Sequence, residues 1–267
     1  DPVAGASHYQ IWRSDGPFPG MAQVVGEWQA ASGFADKNAE LGVTYYYWVK
    51  AAVDAEGFRT GGLSAAADGF RGLAEITPQV LTNNAAGIDL SWQAVDGARA
   101  YRVYRSELPD VRQAGPLMNW RPNTVFSDET ALPGVTYYYW VRSAADDEGL
   151  NATPLGNAVS GHRVLHGAGG LTATRGELAA VDLAWAEVPG ATHYRIYRGI
   201  AEDTAQATSI GSWASARSYS DKTALAGVTY YYWVRSATSA LGHKAGSFGQ
   251  AVQGYRSVAA PGGIIGS

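Results

Sequence analysis

Apolar and polar residues alternate along most of the chain. β-Branched and aromatic side chains recur at every second position, and the runs are bounded by Gly, Pro, Asn and Asp. This period-two pattern predicts strands, and helix has almost no support. In the middle of the chain the runs fall at Ala74 to Thr77, Gly87 to Trp92, Ala100 to Ser106, Leu117 to Trp120, Thr124 to Ser127, Val135 to Ser143 and Leu155 to Gly161. Seven short strands in about 92 residues predict an all-β, seven-stranded sandwich of the immunoglobulin-like kind. Parallel sheets are excluded, because the pattern leaves no crossover helices to connect them.

The alternation itself repeats. Gly-Val-Thr-Tyr-Tyr-Tyr-Trp-Val occurs at Gly42 to Val49, Gly134 to Val141 and Gly227 to Val234, spaced by 92 and then 93 residues. Gly5-Ala6-Ser7-His8-Tyr9, Gly97-Ala98-Arg99-Ala100-Tyr101 and Gly190-Ala191-Thr192-His193-Tyr194 keep the same separations, as do Gly69-Phe70-Arg71, Gly161-His162-Arg163 and Gly254-Tyr255-Arg256. A fixed period of this length predicts tandem domains at 1–71, 72–163 and 164–256, with 257–267 as the opening strand of a further repeat. Asp1 aligns with Gln93 and Ala186, the residues directly after Trp92 and Trp185. The first repeat is therefore predicted to lack its first two strands and to leave core residues such as Tyr9 and Ile11 exposed. The missing strands are expected in sequence beyond the chain, as in a window on a longer polypeptide, with completion by a partner chain as the alternative. Arg71 leads into Gly72-Leu73 and Arg163 into Val164-Leu165 with no long Gly/Ser or Pro run, so neighbouring domains are expected to touch.

Ile88-Asp89-Leu90-Ser91-Trp92, then Ala98 to Arg105, then Leu132-Pro133-Gly134-Val135-Thr136-Tyr137 with alternating aromatics, resemble the fibronectin type III domain. The resemblance covers the second and third repeats fully. It implies a core Trp on the second strand, matched by Trp92 and Trp185. It also implies a tyrosine corner at the start of the sixth strand, matched by Tyr45, Tyr137 and Tyr230, whose hydroxyl bonds nearby backbone. The Tyr-Tyr-Tyr-Trp-Val wording and the closing Gly-(Phe/His/Tyr)-Arg resemble tandem repeats of large secreted or surface proteins of bacteria.

If Tyr137 faces inward, alternation places Tyr139 and Val141 inward as well, and Tyr138, Trp140 and Arg142 outward. On the neighbouring strand Arg102 and Tyr104 share that outward face. The third repeat offers Arg195, Tyr197, Tyr231, Trp233 and Arg235, and the first offers Tyr46 and Trp48, with Gln10 and Trp12 where the others have Arg and Tyr. Interleaved Arg and aromatic rings suit cation–π stacking. This candidate contact face is either a self-contained stack covered by loops or a patch for a neighbouring domain, a subunit or a sugar ring.

Composition narrows the chemistry. Hydrophobic residues at 46% and charged residues at 16% fit folded domains. A formal net charge of −4 without a dense Lys/Arg cluster argues against nucleic acid. With no Cys there is no disulfide framework and no thiolate metal site, and the five His are too scattered for a ligand set. No run of 18 apolar residues is present, so membrane insertion by this segment is not expected. Acidic clusters at Asp54 and Glu56 and at Asp146, Asp147 and Glu148 are read as solvated turns, with loop-bound calcium as the rival. Asp36, Asp128 and Asp221, each just before the octet, are read as turn residues whose side chains bond backbone. Asn151-Ala152-Thr153 is a formal glycosylation sequon. There is no nucleophile elbow, no His-Glu-x-x-His and no phosphate loop, and no cofactor or catalysis is expected.

These readings predict a non-catalytic structural or adhesive array of an extracellular or cell-surface bacterial protein, acting as spacer, stalk or filament segment. Its expected partners are neighbouring repeats, with self-assembly into a fibre as an extension. The rival readings are an accessory array of a secreted polysaccharide- or protein-degrading enzyme, and a carbohydrate-binding module.

Overall fold

The computed structural model describes residues 2–260. Its regular elements are strands, apart from three single 3-10 turns. In the first repeat β1 (His8–Ser14), β2 (Gln23–Val24), β3 (Thr44–Ala52) and β4 (Ala67–Phe70) form one sheet in the order β2-β1-β3-β4. The long antiparallel pair aligns Tyr9 with Ala51, Trp12 with Trp48 and Ser14 with Tyr46. The second repeat contains β5 (Gln79–Asn83), β6 (Ile88–Ser91), β7 (Ala100–Ser106), β8 (Gly115–Pro116), β9 (Val125–Asp128), β10 (Thr136–Ala144) and β11 (Val159–His162). They make a sheet β11-β10-β7-β8 and a sheet β5-β6-β9.

The third repeat contains β12 (Thr172–Ala173), β13 (Arg175–Glu177), β14 (Val181–Ala184), β15 (His193–Gly199), β16 (Thr208–Ser209), β17 (Ser218–Asp221), β18 (Thr229–Ala237) and β19 (Val252–Arg256). One sheet runs β12-β14-β17 and the other β13-β19-β18-β15-β16. Alternation decides what lies between them. Val181, Leu183 and Trp185 from one sheet meet Tyr194, Ile196, Tyr230, Tyr232 and Val234 from the other in a single apolar cluster. The chain is thus all-β and built of tandem β-sandwich units. The described residues gather into two compact units, one drawn from 2–79, Ser91–Phe126 and Tyr139–Val159, the other from Val80–Leu90, Ser127–Tyr138 and 160–260. Each unit contains one joint between consecutive repeats.

Four expectations of the strand pattern differ from the structure. The pattern excludes parallel pairing, yet β13 pairs with β19 in parallel, Arg175 with Tyr255, because the intervening strands of the same repeat supply the connection that a crossover helix would otherwise make. The first strand of the second repeat forms at Gln79–Asn83 rather than Ala74 to Thr77. Pro78 separates the two stretches, and Ile76, although buried, lies outside any ladder. Leu117 to Trp120 makes no strand: pairing there reduces to Tyr104 with Pro116 and Arg105 with Gly115, extended by Leu117 N–H donating to Val103 O. In the first repeat Tyr9 and Ile11 are only 9% and 8% exposed. The segment after β2 continues antiparallel alongside their strand, with Val25 N–H donating to Ile11 O and Tyr9 and Gln29 exchanging backbone bonds. The uncovered inward residue is Val49, at 38% exposure, where Val141 and Val234 are fully buried. Ile11, Phe34, Ala39, Tyr47 and Val49 line an open cleft of about 460 Å³ on this side. The proposed further strand at 257–267 falls mostly on 261–267, which lie outside the described residues.

Candidate functional site

The octet strand sets the outer face. In β18 the residues Tyr230, Tyr232 and Val234 point into the core, so Tyr231, Trp233 and Arg235 point out. Tyr231 and Trp233 stack with centroids 6.3 Å apart and planes inclined by 26°. Outward, however, does not mean exposed. Trp48, Trp140 and Trp233 are 2%, 3% and 3% exposed, so the indole of the outward aromatic pair is covered in each repeat. The end of β15 lies close to Trp233, whose ring is 3.4 Å from the position a Cβ on Gly199 would take.

Arginine closes the rest of the face against its own flanking loops. Arg195 Nε donates to Gly211 O at 2.8 Å and its Nη2 to Ser209 Oγ at 2.9 Å. Arg235 Nε donates to Gly246 O at 2.9 Å, while its guanidinium lies 5.2 Å from the Phe248 ring. Phe248 in turn meets Tyr197 edge-on at 4.9 Å. The second repeat repeats the device: Arg102 Nε donates to Met118 O at 2.9 Å, with its guanidinium near the Tyr104 and Trp120 rings. Arg142 donates to the Thr153 and Ala152 carbonyls. In the first repeat Trp12 Nε1 donates to Gln10 Oε1 at 3.2 Å and Lys50 lies 5.7 Å from the Trp12 ring. Tyr46, Tyr104, Tyr138, Tyr197 and Tyr231 stay half-buried at the margins. Of the two readings this face allowed, the geometry has the features of the self-contained stack, because the cations are held by carbonyls of the same repeat.

Sequence reasoning missed the indoles that lock this face. Trp28, Trp120 and Trp213 each lie over a glycine of positive φ, Gly57, Gly149 and Gly242. At each of these glycines a Cβ would penetrate the indole Nε1, so the close approach and the backbone conformation both require glycine. The signal was present, since both Trp and Gly recur at the 92- and 93-residue period.

On the inner side Trp92 and Trp185 are buried, with rings 5.8 Å from Tyr101 and 5.7 Å from Tyr194. Tyr137 and Tyr230 are buried and Tyr45 is half-buried. The Tyr137 hydroxyl accepts from Leu132 N–H, but at 3.5 Å. The shorter recurring bonds belong to another tyrosine: Val3, Val95 and Val188 N–H donate to the hydroxyls of Tyr9, Tyr101 and Tyr194 at 2.9, 2.9 and 3.0 Å.

The pre-octet aspartates do more than close turns. Asp221, fully buried, accepts from Thr223 N–H and its hydroxyl, and its other oxygen accepts from Arg198 at 2.7 Å and Tyr232 at 3.0 Å. Burial pushes its carboxyl up, but the Thr223 and Arg198 hydrogen bonds outweigh that and hold it below the ordinary 3.8. Burial and the Asp221 charge push the Tyr232 phenol far up. Asp36 repeats the arrangement with Arg13 and Tyr47 in a more open setting. The acidic loops are used as turns: Asp146 Oδ1 accepts from Glu148, Gly149 and Leu150 N–H, and Asp54 Oδ1 from Phe58 N–H. Among the described residues no group of three His, Cys, Asp or Glu could hold a metal ion, and no helix is long and apolar enough to cross a membrane.

The joints between repeats are also built from recurring parts. Asn151, at φ 50°, donates from its amide to Gly42 O at 2.9 Å and Thr44 Oγ1 at 2.8 Å. One period later Lys244, at φ 49°, donates from Nζ to Gly134 O at 2.7 Å and Thr136 Oγ1 at 2.5 Å. Burial in this joint pulls the Lys244 ammonium below its ordinary pKa. Beside each clasp the backbones close up. A Cβ on Gly97 would lie 2.5 Å from Leu41 Cβ, and one on Gly190 would overlap the Pro133 carbonyl. The Asn151 amide is thus occupied in the joint, and Thr153 of the same sequon is buried.

No family model matches the sequence, and no curated protein does. Among solved structures the chain is similar to a segment of two fibronectin type III domains from chicken tenascin, at 13% identity and a TM-score of 0.48, over 68% of this chain and 98% of that one. It is also similar to the FN1-FN3 domains of chicken CNTN1, at 14% identity and a TM-score of 0.30, over 95% and 89%. A third similarity is to a Fn3-like protein from Clostridium thermocellum, at 20% identity and a TM-score of 0.32, over 36% and 98%.

Proposed function

We propose that the chain is a non-catalytic structural array, sandwich repeats at 72–163 and 164–256 preceded at 1–71 by a repeat that lacks its first two strands, and that it spaces or presents other parts of an extracellular or cell-surface polypeptide of a bacterium. The observation that carries this reading is the clasp between repeats. Two chemically different side chains, Asn151 and Lys244, hold the same Gly-x-Thr turn of the preceding repeat through the same pair of acceptors. A joint kept while its residues change is what a spacer needs, because held joints transmit length and orientation where free linkers do not. The buried titratable groups point the same way. Asp221, Arg198 and Tyr232 satisfy one another inside a core rather than facing a cavity, which is a stabilising use of perturbed groups. A sugar-binding platform requires flat, uncovered rings, and the burial of Trp48, Trp140 and Trp233 removes its largest members.

The test uses the absence of cysteine. Spin labels at Ala65→Cys and Glu107→Cys, both at exposed positions, report the joint between the first and second repeats. A narrow distance distribution is expected, broadened by Asn151→Ala. A distribution as broad as that of a flexible linker in the unsubstituted protein would overturn the spacer reading.

A further inference from the structure

The two joints inside the chain use the same acceptors with different chemistry around them. Asn151 grips Gly42 O and Thr44 Oγ1 in the first, and Lys244 grips Gly134 O and Thr136 Oγ1 in the second. Two neighbouring positions change together with the grip. Phe70 pairs directly with Thr44 across the sheet, and one period later the residue is His162, at the end of the strand β11 that lies beside β10 and its Thr136. Leu150, next to Asn151, becomes His243, next to Lys244. The carboxylates change in the opposite sense. Asp15, Glu40 and Asp146 line the cavity at the first joint, and their counterparts at the second are Glu107, Leu132 and Ser239. Three basic groups thus replace two apolar side chains and an amide, while two of three acids are lost.

His162 is half-buried, and its backbone N–H is fixed by Asn83 Oδ1 at 2.8 Å. The end of β5 therefore presents Asn83 to it, β10 presents Thr136, and the loop of the third repeat presents Lys244 with the exposed His243. Arg163, next along the strand, is committed elsewhere, donating to the Ala85, Glu129 and Ala131 carbonyls. Among the described residues no carboxylate pairs with His162 or His243. Burial first and the Lys244 charge second hold the His162 imidazole below its ordinary pKa of 6.5.

From this we infer that the joint between the second and third repeats is a pH-sensitive latch, held at neutral pH and released in mild acid when His162 takes a proton beside the Lys244 ammonium. The inference rests on the spacer reading and adds a condition to one of its joints. Two like charges brought together where burial limits their hydration repel, and the pair has two ways to relieve this. His162 can stay neutral, or Lys244 can leave Gly134 O and Thr136 Oγ1 for solvent, which opens the clasp. Acid removes the first choice. The sign follows from the depressed pKa: the closed joint binds fewer protons than the open one, so its stability is full above 6.5 and is lost as the pH falls through the lower, closed-joint value. The first joint has Phe70, Leu150 and Asn151 at these positions and so carries no imidazole to titrate there.

The test is the distance between spin labels at Leu81→Cys and Ile200→Cys, exposed sites on the second and third repeats of this cysteine-free chain, followed from about pH 8 to about pH 5. A narrow distribution is expected at the upper end, widening about twofold as the latch releases. The pair at Ala65→Cys and Glu107→Cys, across the first joint, should keep its width throughout. His162→Phe, which installs the residue of position 70, should keep the second joint narrow in acid. Lys244→Asn, which installs the residue of position 151, keeps an amide donor for both acceptors without the charge and should do the same. In that variant the NMR titration of the His162 ring should also move up. His243→Leu should leave the acid response in place. A width at the second joint that ignores pH would overturn the inference, as would equal widening at both joints, or widening that survives His162→Phe and Lys244→Asn. A response abolished by His243→Leu alone would overturn it too, because the other ring would then be the trigger. A first joint broad at every pH would instead overturn the spacer reading, and a second joint narrow at every pH would leave that reading standing.

Discussion

Replacing Asp221 by Asn should unlock the third sandwich while leaving the second intact. The carboxylate is fully buried and receives four donors, Thr223 N–H, the Thr223 hydroxyl, the Tyr232 hydroxyl and the Arg198 guanidinium, all between 2.7 and 3.0 Å. An amide of the same shape offers one acceptor oxygen and turns an NH2 toward either the Thr223 pair or the Arg198 and Tyr232 pair. Removing one partner of a buried ion pair costs about 3 to 5 kcal/mol. Arg198 keeps 19% of its side chain in solvent, so part of its charge is rehydrated and the low end applies, about 3 kcal/mol. That is roughly a hundredfold increase in opening of the domain. Hydrogen exchange read by mass spectrometry checks it within one molecule. Protection of the β18 amides, Thr229–Ala237, should fall about a hundredfold, while those of β10, Thr136–Ala144, keep theirs. A loss below about fivefold in β18 would refute the ledger of this network, and an equal loss in both strands would refute independent cores.

The same residues set the pH limits of stability. Asp221 has a depressed folded pKa, so its contribution is present above its ordinary 3.8 and is lost as acid carries the pH down through the folded value. Tyr232 has a raised one, so its contribution is present below its ordinary 10 and fades as the pH rises beyond it. Melting temperature against pH should therefore fall at both ends, and the acid fall should be shallower in Asp221→Asn. Tyr194→Phe leaves Val188 N–H buried without its acceptor and should cost about 1 to 3 kcal/mol in urea unfolding, whereas Tyr137→Phe, with its 3.5 Å bond, should cost less than about 1 kcal/mol. The reverse order would mean that the corner tyrosine carries the backbone bond in solution. Gly242→Ala strains a φ of 76° and drives a methyl into Trp213, so it should destabilise by about 1 to 3 kcal/mol and shift tryptophan emission to the red. An unaltered spectrum would count against the indole lock.

Much of this protein was legible along the chain because its determinants are local. Period-two alternation assigns Tyr230, Tyr232 and Val234 to one face and Tyr231, Trp233 and Arg235 to the other, since consecutive side chains on a strand must point oppositely. The repeat period was equally plain, because each copy keeps its octet in register. Side is a property of the strand, but burial is a property of what arrives from elsewhere. Trp140 and Trp233 are buried although they face outward, and nothing in their own strand announces it. The Asp221–Arg198 pair, 23 residues apart, and the Asn151–Gly42 joint, 109 apart, likewise exist only once long-range closure has placed their partners. Alternation therefore determined which way each side chain points, and the tertiary structure decided what each one meets, because the desolvation and hydrogen bonding of a group depend on neighbours that sequence spacing does not bring together.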